Sequence, residues 1–421
     1  MKSKIYILEK ASRAMNYGIG TYVKQLTNCL LSSKMDFCVI HLYADCLETT
    51  IIDKGGYQQI SIPTPYSNIA ACLQYYSRNV AYLLKTLITE DSDTRIIFHL
   101  NFLPDNNLVK YLKHLFKCHI VLTVHYTNWS FSLLGDFDLL KRIVDKKRSK
   151  LTQSEKQIVD EIKEYRMMMK RCDLIICVAQ HTLKALQELS CIGTSKACVI
   201  NNGIADCYLK RGKDKKLRQK YHLEDDEQII IFAGRLDEIK GVPFLIKAFE
   251  RVLVDYPKSR LIIAGDGDFN ECLRGTKKCW SRITFTGRID KRQLYGLYTI
   301  ANVGVVCSIH EEFGLVAIEM MMHALPLVVT DTSGLSELVI DGVSGLKSPI
   351  RRIKRKRSPD VKVLSEQIIK LLDSKTLALQ LGRKARKRFL ENYALEVFKK
   401  KMMSVYEAVS YTHLTLPTTS R

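Results

Sequence analysis

The chain has 421 residues, of which 46% are hydrophobic and 26% charged, with a formal net charge of +21. That length suits two domains of about 100–200 residues each, and the mixture excludes a disordered or fibrous protein. No apolar run reaches the roughly 18 residues of a spanning helix; the longest candidate, Gly314–Val329, is broken by Glu319, His323 and Pro326. The opening MKSKIYILEK has too short an apolar stretch for a secretory leader, so a cytoplasmic protein is expected. Thirteen cysteines, an odd number without a C-x-x-C pair, fit reduced and mostly buried thiols rather than a disulfide framework.

Three strips, Lys141–Lys150, Lys210–Lys220 and Arg351–Arg357, carry +17 of the charge, so the remainder is near neutral. Such strips suit anionic membrane surfaces, nucleic acid or acidic substrates, and equally suit solvated loops that keep a protein soluble. Arg351–Arg357 (RRIKRKR) has six cations in seven residues and is expected to be a surface insertion serving association rather than chemistry.

In chain order, Lys4–Leu8 predicts a strand, Asn16–Gly20 a turn, and Ile19, Tyr22, Val23, Leu26 and Leu30 one face of a helix. Further strands are expected at Phe37–Leu42, Arg95–Leu100, His119–His125, Asp173–Ala179 and Ala197–Ile200, with a polar helical stretch over Asp136–Met169. A second series follows residues 210–220, with strands at Gln228–Phe232, Arg260–Ala264, Ile283–Thr286, Val303–Cys307 and Leu327–Thr330. Continuously apolar strands alternating with helices predict parallel doubly wound sheets. Two series predict two Rossmann-like domains, whose ligands sit outside the carboxyl ends of the strands. Tyr393–Val409 predicts a last helix, and residues 410–421, without periodicity, read as a non-native tail without function.

Ser308–Gly345 is the most informative stretch. Glu319 sits in a helix apolar almost all round, and a buried carboxylate is costly unless donors meet it. A ribose diol supplies two such donors; the alternative is an i,i+4 pair with His323. The helix opening at Gly314 offers free backbone N–H groups and a positive dipole end to a diphosphate. Ser333–Glu337 is a second small-residue turn that could lie beside it. Arg235 and Lys240 follow a strand end, where two cations can neutralise a departing nucleoside diphosphate without a metal; as an alternative they are an ordinary surface pair. Asp266-Gly267-Asp268 matches the D-x-D string of metal-dependent transferases but lies in a glycine-rich turn. No His/Cys cluster has zinc spacing and no Walker A string occurs.

The ordered set G-R-L-x3-K-G, A-G-D-G, E-x-F-G-L-V-x-x-E and S-G-x-x-E over residues 228–346 resembles the retaining GT-B glycosyltransferases of family 4. The amino-terminal half agrees more loosely, through Gly18-x-Gly20, His99, His125 and Asn202-Gly203-Ile204. The resemblance implies an α/β GT-B fold of two Rossmann-like domains across a cleft. The acceptor domain would take residues 1–205 and the donor domain 206–390, with a helix over 391–409 crossing back to the first. It implies retaining transfer of a sugar from a nucleotide sugar to a glycan, lipid-linked sugar or peptide. No cofactor, metal or nucleic acid is expected, and strips 141–150 and 351–357 are candidate contacts to an anionic membrane. By the resemblance Glu311 would hold hydroxyls of the donor sugar, Glu319 the ribose, and Arg235 and Lys240 the diphosphate. Backbone groups of Phe313, Gly314, Leu315 and Val316 would serve phosphate and sugar, Gly18 and Gly20 would admit the phosphates, and His125 would lie near the transferred sugar. Departures from the family pattern include Glu312 in E-G-F-G, Ala324 in G-x-P, Ala205 after N-G-I and Ala179 after the Asp173 strand. The rival readings are a basic nucleic-acid-binding protein and a retaining sugar phosphorylase.

Overall fold

Aliphatic and β-branched runs form the strands of this protein, and 3.6-period apolar faces form the helices that cover them. The computed structural model describes residues 2–11, 18–65, 70–104, 106–193, 196–212, 214–353 and 356–410. The first half holds β1 (Lys2–Lys10), α1 (Gly18–Ser32), β2 (Asp36–Ala44), β3 (Thr50–Asp53), β4 (Gln58–Pro63), α2 (Ala70–Leu87), β5 (Thr94–Leu100), α3 (Asn106–Leu115), β6 (Cys118–Val124), α4 (Asn128–Ser132), α5 (Phe137–Val144), α6 (Gln153–Arg171), β7 (Leu174–Cys177), α7 (Gln180–Glu188) and β8 (Ala197–Val199). The second holds α8 (Lys215–Lys220), β9 (Gln228–Ala233), α9 (Val242–Asp255), β10 (Ser259–Ala264), α10 (Phe269–Gly275), β11 (Ile283–Gly287), α11 (Lys291–Ile300), β12 (Val303–Val306), α12 (Leu315–Met322), β13 (Leu327–Asp331), α13 (Ser333–Leu338), β14 (Leu346–Ile353), β15 (Lys356–Pro359), α14 (Val361–Asp373), α15 (Lys375–Asn392) and α16 (Leu395–Ser410).

The chain divides into two compact units. Among the described residues, the first takes those within Met1–Asn128, Asp138–Gly203 and Leu395–Arg421. Its eight-stranded sheet runs β3-β4-β2-β1-β5-β6-β7-β8, parallel throughout except for β3. Ile5, Ile7, Val39, Ile97, Val121 and Ile176 pack from one sheet face against Tyr22 and Leu26 of α1 and Phe398, Met402 and Tyr406 of α16. Strand β3 was not legible in the sequence because Ile51–Asp53 is exposed and lacks an apolar period, whereas β4, with Ile60 and Ile62 buried in alternation, carried a signal that the sequence reading missed. The polar stretch expected to be helical over Asp136–Met169 is helical in α5 and α6, with an interruption over residues 145–152. Thr152 makes the break: its Oγ1 accepts from Glu155 N at 3.3 Å and the Glu155 carboxylate accepts from Thr152 N at 2.9 Å, a capping box that starts α6.

The second unit takes Trp129–Phe137 and Ile204–Ala394. Its seven-stranded sheet runs β11-β10-β9-β12-β13-β14-β15, with only the last pair antiparallel. Ile230, Phe232, Leu261, Ile263, Val305 and Val328 form the core with Leu245 and Phe249 of α9 and Leu364 and Ile368 of α14. The short segment Trp129–Phe137 lies with this unit, although the sequence boundary at 205 puts it in the other; no composition change marks it.

In the strip Arg351–Arg357, Arg351, Arg352 and Lys356 are exposed, and β14 runs on into an antiparallel hairpin with β15, pairing Arg351 with Ser358 and Arg352 with Arg357. Arg351 forms an ion pair with Asp360, Arg352 with Asp136, and Arg357 donates to Leu134 O at 2.8 Å. Lys354 and Arg355 lie outside the described residues. In the strip Lys141–Lys150, Lys141 pairs with Glu188, Lys146 with Glu155 at 2.6 Å, and Arg148 with Asp160 at 2.7 Å. Among the described residues no helix is long and apolar enough to cross a membrane. Ser410 ends α16, and the rest of the expected tail lies outside the described residues.

Candidate functional site

In the second sheet the chain runs outward from β9 to β10 and β11, then returns to place β12 on the other side of β9. That reversal is where doubly wound sheets hold their ligands, beyond the carboxyl ends of the two strands. Arg235 and Lys240 follow the end of β9, and Ser308 and Glu311 follow the end of β12. The two loops are stitched together: Ile309 N donates to Ile239 O at 2.7 Å, and Cys307 Sγ to Lys240 O at 3.3 Å. Gly241 makes this approach possible. Its φ is 70°, and a Cβ there would stand 2.2 Å from Cys307 O. The result is an ion pair between Lys240 Nζ and Glu311 Oε2, each side chain more than four-fifths buried, with Ser308 Oγ donating to the same carboxylate oxygen at 3.2 Å. Arg235 reaches Asp237 at 3.0 Å.

Gly314, at φ 105°, turns the chain into α12 without a side-chain cap. The first-turn N–H groups of Leu315 and Val316 therefore have no intrahelical acceptor and mark the positive end of the helix. Phe313 is buried against the Tyr393 ring at 6.0 Å. The second turn lies beside the first, as its small residues suggested: Gly334 N donates to Glu311 O at 2.8 Å.

Glu319 is buried in α12, 1% exposed. The alternative pairing with His323 is not what forms. His323 Nδ1 instead bonds the main-chain oxygen of Glu319 at 2.9 Å, because one turn of helix brings that carbonyl, not the carboxylate, to the ring. The carboxylate forms an ion pair with Lys291 through Oε1, and its Oε2 finds no partner among the described residues. A buried carboxylate oxygen left without a donor carries a desolvation cost. Burial and then the Glu319 charge push the nearby Tyr298 hydroxyl well up, so it remains protonated. Lys291 escaped the sequence reading. The available signal was its place four residues past the end of β11, another carboxyl end of the same sheet.

Asp266-Gly267-Asp268 is a structural turn. Leu236 N donates to Asp266 O and Asp268 N to Leu236 O, both at 2.7 Å, and Asp268 Oδ1 caps α10 by accepting from Glu271 N at 3.2 Å.

In the first unit Gly18 and Gly20 lie in the first turn of α1, directly after residues 12–17, which lie outside the described ones along with Asn16 and Tyr17 of the expected turn. His125 follows β6, with Nε2 3.4 Å from Asn101 Oδ1 and its ring edge-on to Tyr22 at 4.4 Å. Burial pushes its pKa down to about 3, so it is a neutral imidazole. His99 lies deeper, 2.6 Å from the Tyr406 hydroxyl and 2.7 Å from Thr123 Oγ1, and burial pushes it down to about 3 as well. Gly18, Gly20 and His125 thus belong to the first unit, and Arg235, Lys240, Glu311, Phe313, Gly314, Leu315, Val316 and Glu319 to the second.

Comparison with known proteins identifies the family and the fold. Residues 213–388 match the family model described as glycosyl transferases group 1, and residues 17–206 match that of glycosyltransferase family 4. An uncharacterised glycosyltransferase of Methanocaldococcus jannaschii is 34% identical over 39% of this chain and 44% of its own length. The chain spans about half the length of the curated relatives it matches. Among solved structures, sucrose-phosphate synthase from Thermosynechococcus elongatus superposes with a TM-score of 0.73 at 20% identity, covering 96% of this chain and 98% of that one. An Anabaena protein in complex with UDP and glucose superposes at 0.69 with 16% identity, over 96% and 99%. At such identity the two structures speak for the fold.

Proposed function

We propose a reaction for a chain that belongs to the group 1 glycosyltransferases and has their two-unit GT-B fold: retaining transfer of a hexose-like unit from a nucleotide sugar to an acceptor hydroxyl. The observation that carries this reading is the pair of carboxylates on one side of the β9–β12 reversal. Glu311 is held by Lys240 and Ser308 at the helix mouth, and Glu319 lies one buried turn further with an unused oxygen. The ligand proposed for the two carboxylates has hydroxyls at both ends and a diphosphate between them. Glu319 would accept from the ribose diol, and the first-turn N–H groups of α12 would meet the diphosphate along with Arg235 and Lys240. Glu311 would accept from hydroxyls of the sugar.

In the proposed step the bond from C1 of the sugar to the β-phosphate oxygen breaks while the acceptor oxygen bonds C1 on the same face. The acceptor proton passes to the departing phosphate oxygen. The protein contributes position and fixed charge, without a covalent nucleophile. His125, neutral, would donate or accept a hydrogen bond at the sugar without placing a charge there. Two cations at the leaving group make a metal unnecessary in this scheme. UDP sugars are the donors to try first, since the Anabaena protein of this fold was solved with UDP and glucose. An anionic membrane surface is the proposed partner for the basic strips.

The experiment is a nucleotide-sugar panel scored for donor hydrolysis, with thermal protection by UDP measured in parallel. Protection by UDP but not by inorganic phosphate supports the reading. Protection by phosphate alone makes the protein a phosphorylase, and salt-sensitive binding to DNA without either makes it a nucleic-acid-binding protein.

A further inference from the structure

The turn that presents Glu311 is held from behind, bond by bond. Thr330 Oγ1 donates to Ser308 O at 2.5 Å, and Thr332 Oγ1 to Ile309 O at 3.0 Å. Ser333 Oγ lies 2.7 Å from His310 Nδ1, and Gly334 N donates to Glu311 O at 2.8 Å. Four positions of 330–334 thus match the four residues 308–311 in order. Gly334 is needed for this register, since a Cβ there would stand 2.4 Å from Glu312 O. The ladder is anchored in turn by the basic hairpin. Arg357 Nη2 donates to Thr332 Oγ1 at 3.3 Å, and its Nη1 to Leu134 O at 2.8 Å. Arg352, across the hairpin from Arg357, pairs with Asp136, which is 5% exposed. The short segment Trp129–Phe137 is therefore fastened to the rest of the second unit by two arginines of the strip Arg351–Arg357.

We propose that Arg357 is a positioning residue for the reaction: through Thr332 it fixes the turn Ser308–Glu311, and so the height at which the Glu311 carboxylate meets the sugar. This rests on the donor-site reading of Glu311 given above. The guanidinium suits the task because its fork reaches two acceptors on different segments at once, which an ammonium on a flexible stem does not reproduce. The contact is to the back of the turn. It leaves the Glu319 end of the site, where a nucleoside would be held, untouched.

The test separates the two ends. Turnover with a donor identified in the panel and UDP binding by calorimetry are measured for wild type, Arg357→Ala, Arg357→Lys, Thr332→Val and Thr332→Ser. A misplacement of about 1 Å can cost about a hundredfold in rate. Arg357→Ala and Thr332→Val are expected to lower kcat about ten- to a hundredfold, with UDP affinity within about twofold of wild type. Thr332→Ser, which keeps the hydroxyl, is expected to restore kcat, and Arg357→Lys is not. Thr332→Val is nearly isosteric, so it answers the question even if Arg357→Ala folds poorly. Wild-type kcat in both Arg357→Ala and Thr332→Val overturns the proposal, as does an equal loss of UDP affinity and kcat, which would mean general damage to the unit. If wild type itself neither binds UDP nor turns over a nucleotide sugar, the donor-site reading fails and this proposal fails with it.

Discussion

Removing the two partners of the Glu319–Lys291 pair should have opposite consequences, because they are buried to different degrees. The carboxylate is 1% exposed and the ammonium 53%. In Glu319→Ala the lysine turns to water at little cost, so stability should stay within about 1 kcal/mol of wild type. The ribose then loses two hydrogen bonds to a charged acceptor, each worth about 1.5–3 kcal/mol. Even the lower figure for both gives about 3 kcal/mol, or roughly a hundredfold in the Kd for UDP. In Lys291→Ala the carboxylate stays buried with neither oxygen satisfied. Breaking a buried pair from one side costs about 3–5 kcal/mol. The half-exposed ammonium argues for the lower end, which in a unit of this size lowers Tm by on the order of 10 °C. Calorimetric titration with UDP and thermal denaturation read the two effects separately. Wild-type UDP affinity in Glu319→Ala, or an unchanged Tm in Lys291→Ala, refutes the reasoning.

Arg235→Ala and Lys240→Ala should each slow transfer by about 10²–10³-fold, the loss typical of one preorganised charge, and wild-type activity should persist in excess chelator. Loss on chelation with recovery on adding a divalent metal would return Asp266 and Asp268 to the site. His99 is held near 3 in the fold against about 6.5 when unfolded. The unfolded chain therefore binds the extra proton as pH falls below about 6.5, and stability at pH 5 should be about 2 kcal/mol lower than at pH 7 from this residue alone. Urea midpoints across that range should show the slope, and His99→Asn should remove about half of it, because His125 is held equally low and adds a similar share. Because Arg351, Arg352 and Arg357 hold structure, membrane association is tested by replacing Lys354, Arg355 and Lys356 with Ser. That variant should leave anionic vesicles at lower salt than wild type and keep its transfer rate; unchanged sedimentation with vesicles moves the proposal to Lys141–Lys150.

The sequence by itself determined the strand–helix alternation, because buried parallel strands must be apolar on both faces and their helices must show a period near 3.6. It also marked the loops that are proposed to carry chemistry. Glu319 was legible because a carboxylate inside an apolar helix conflicts with burial unless donors meet it, Arg235 and Lys240 by their place after a strand end, and Glu311 through the family resemblance. Gly314 was legible as the start of α12. Tertiary structure decided everything that depends on partners distant in sequence. Glu319 could pair with His323 or stay open to a ligand by local spacing; the fold brought Lys291 to one oxygen and left the other unused. His125 reads as a strand-end histidine and His99 only as part of the family resemblance, and it is burial in the fold that makes both neutral. RRIKRKR reads as a surface insertion serving association because composition records charge and not contacts, and folding brought Asp136, Leu134 and Thr332 to its arginines from other parts of the chain.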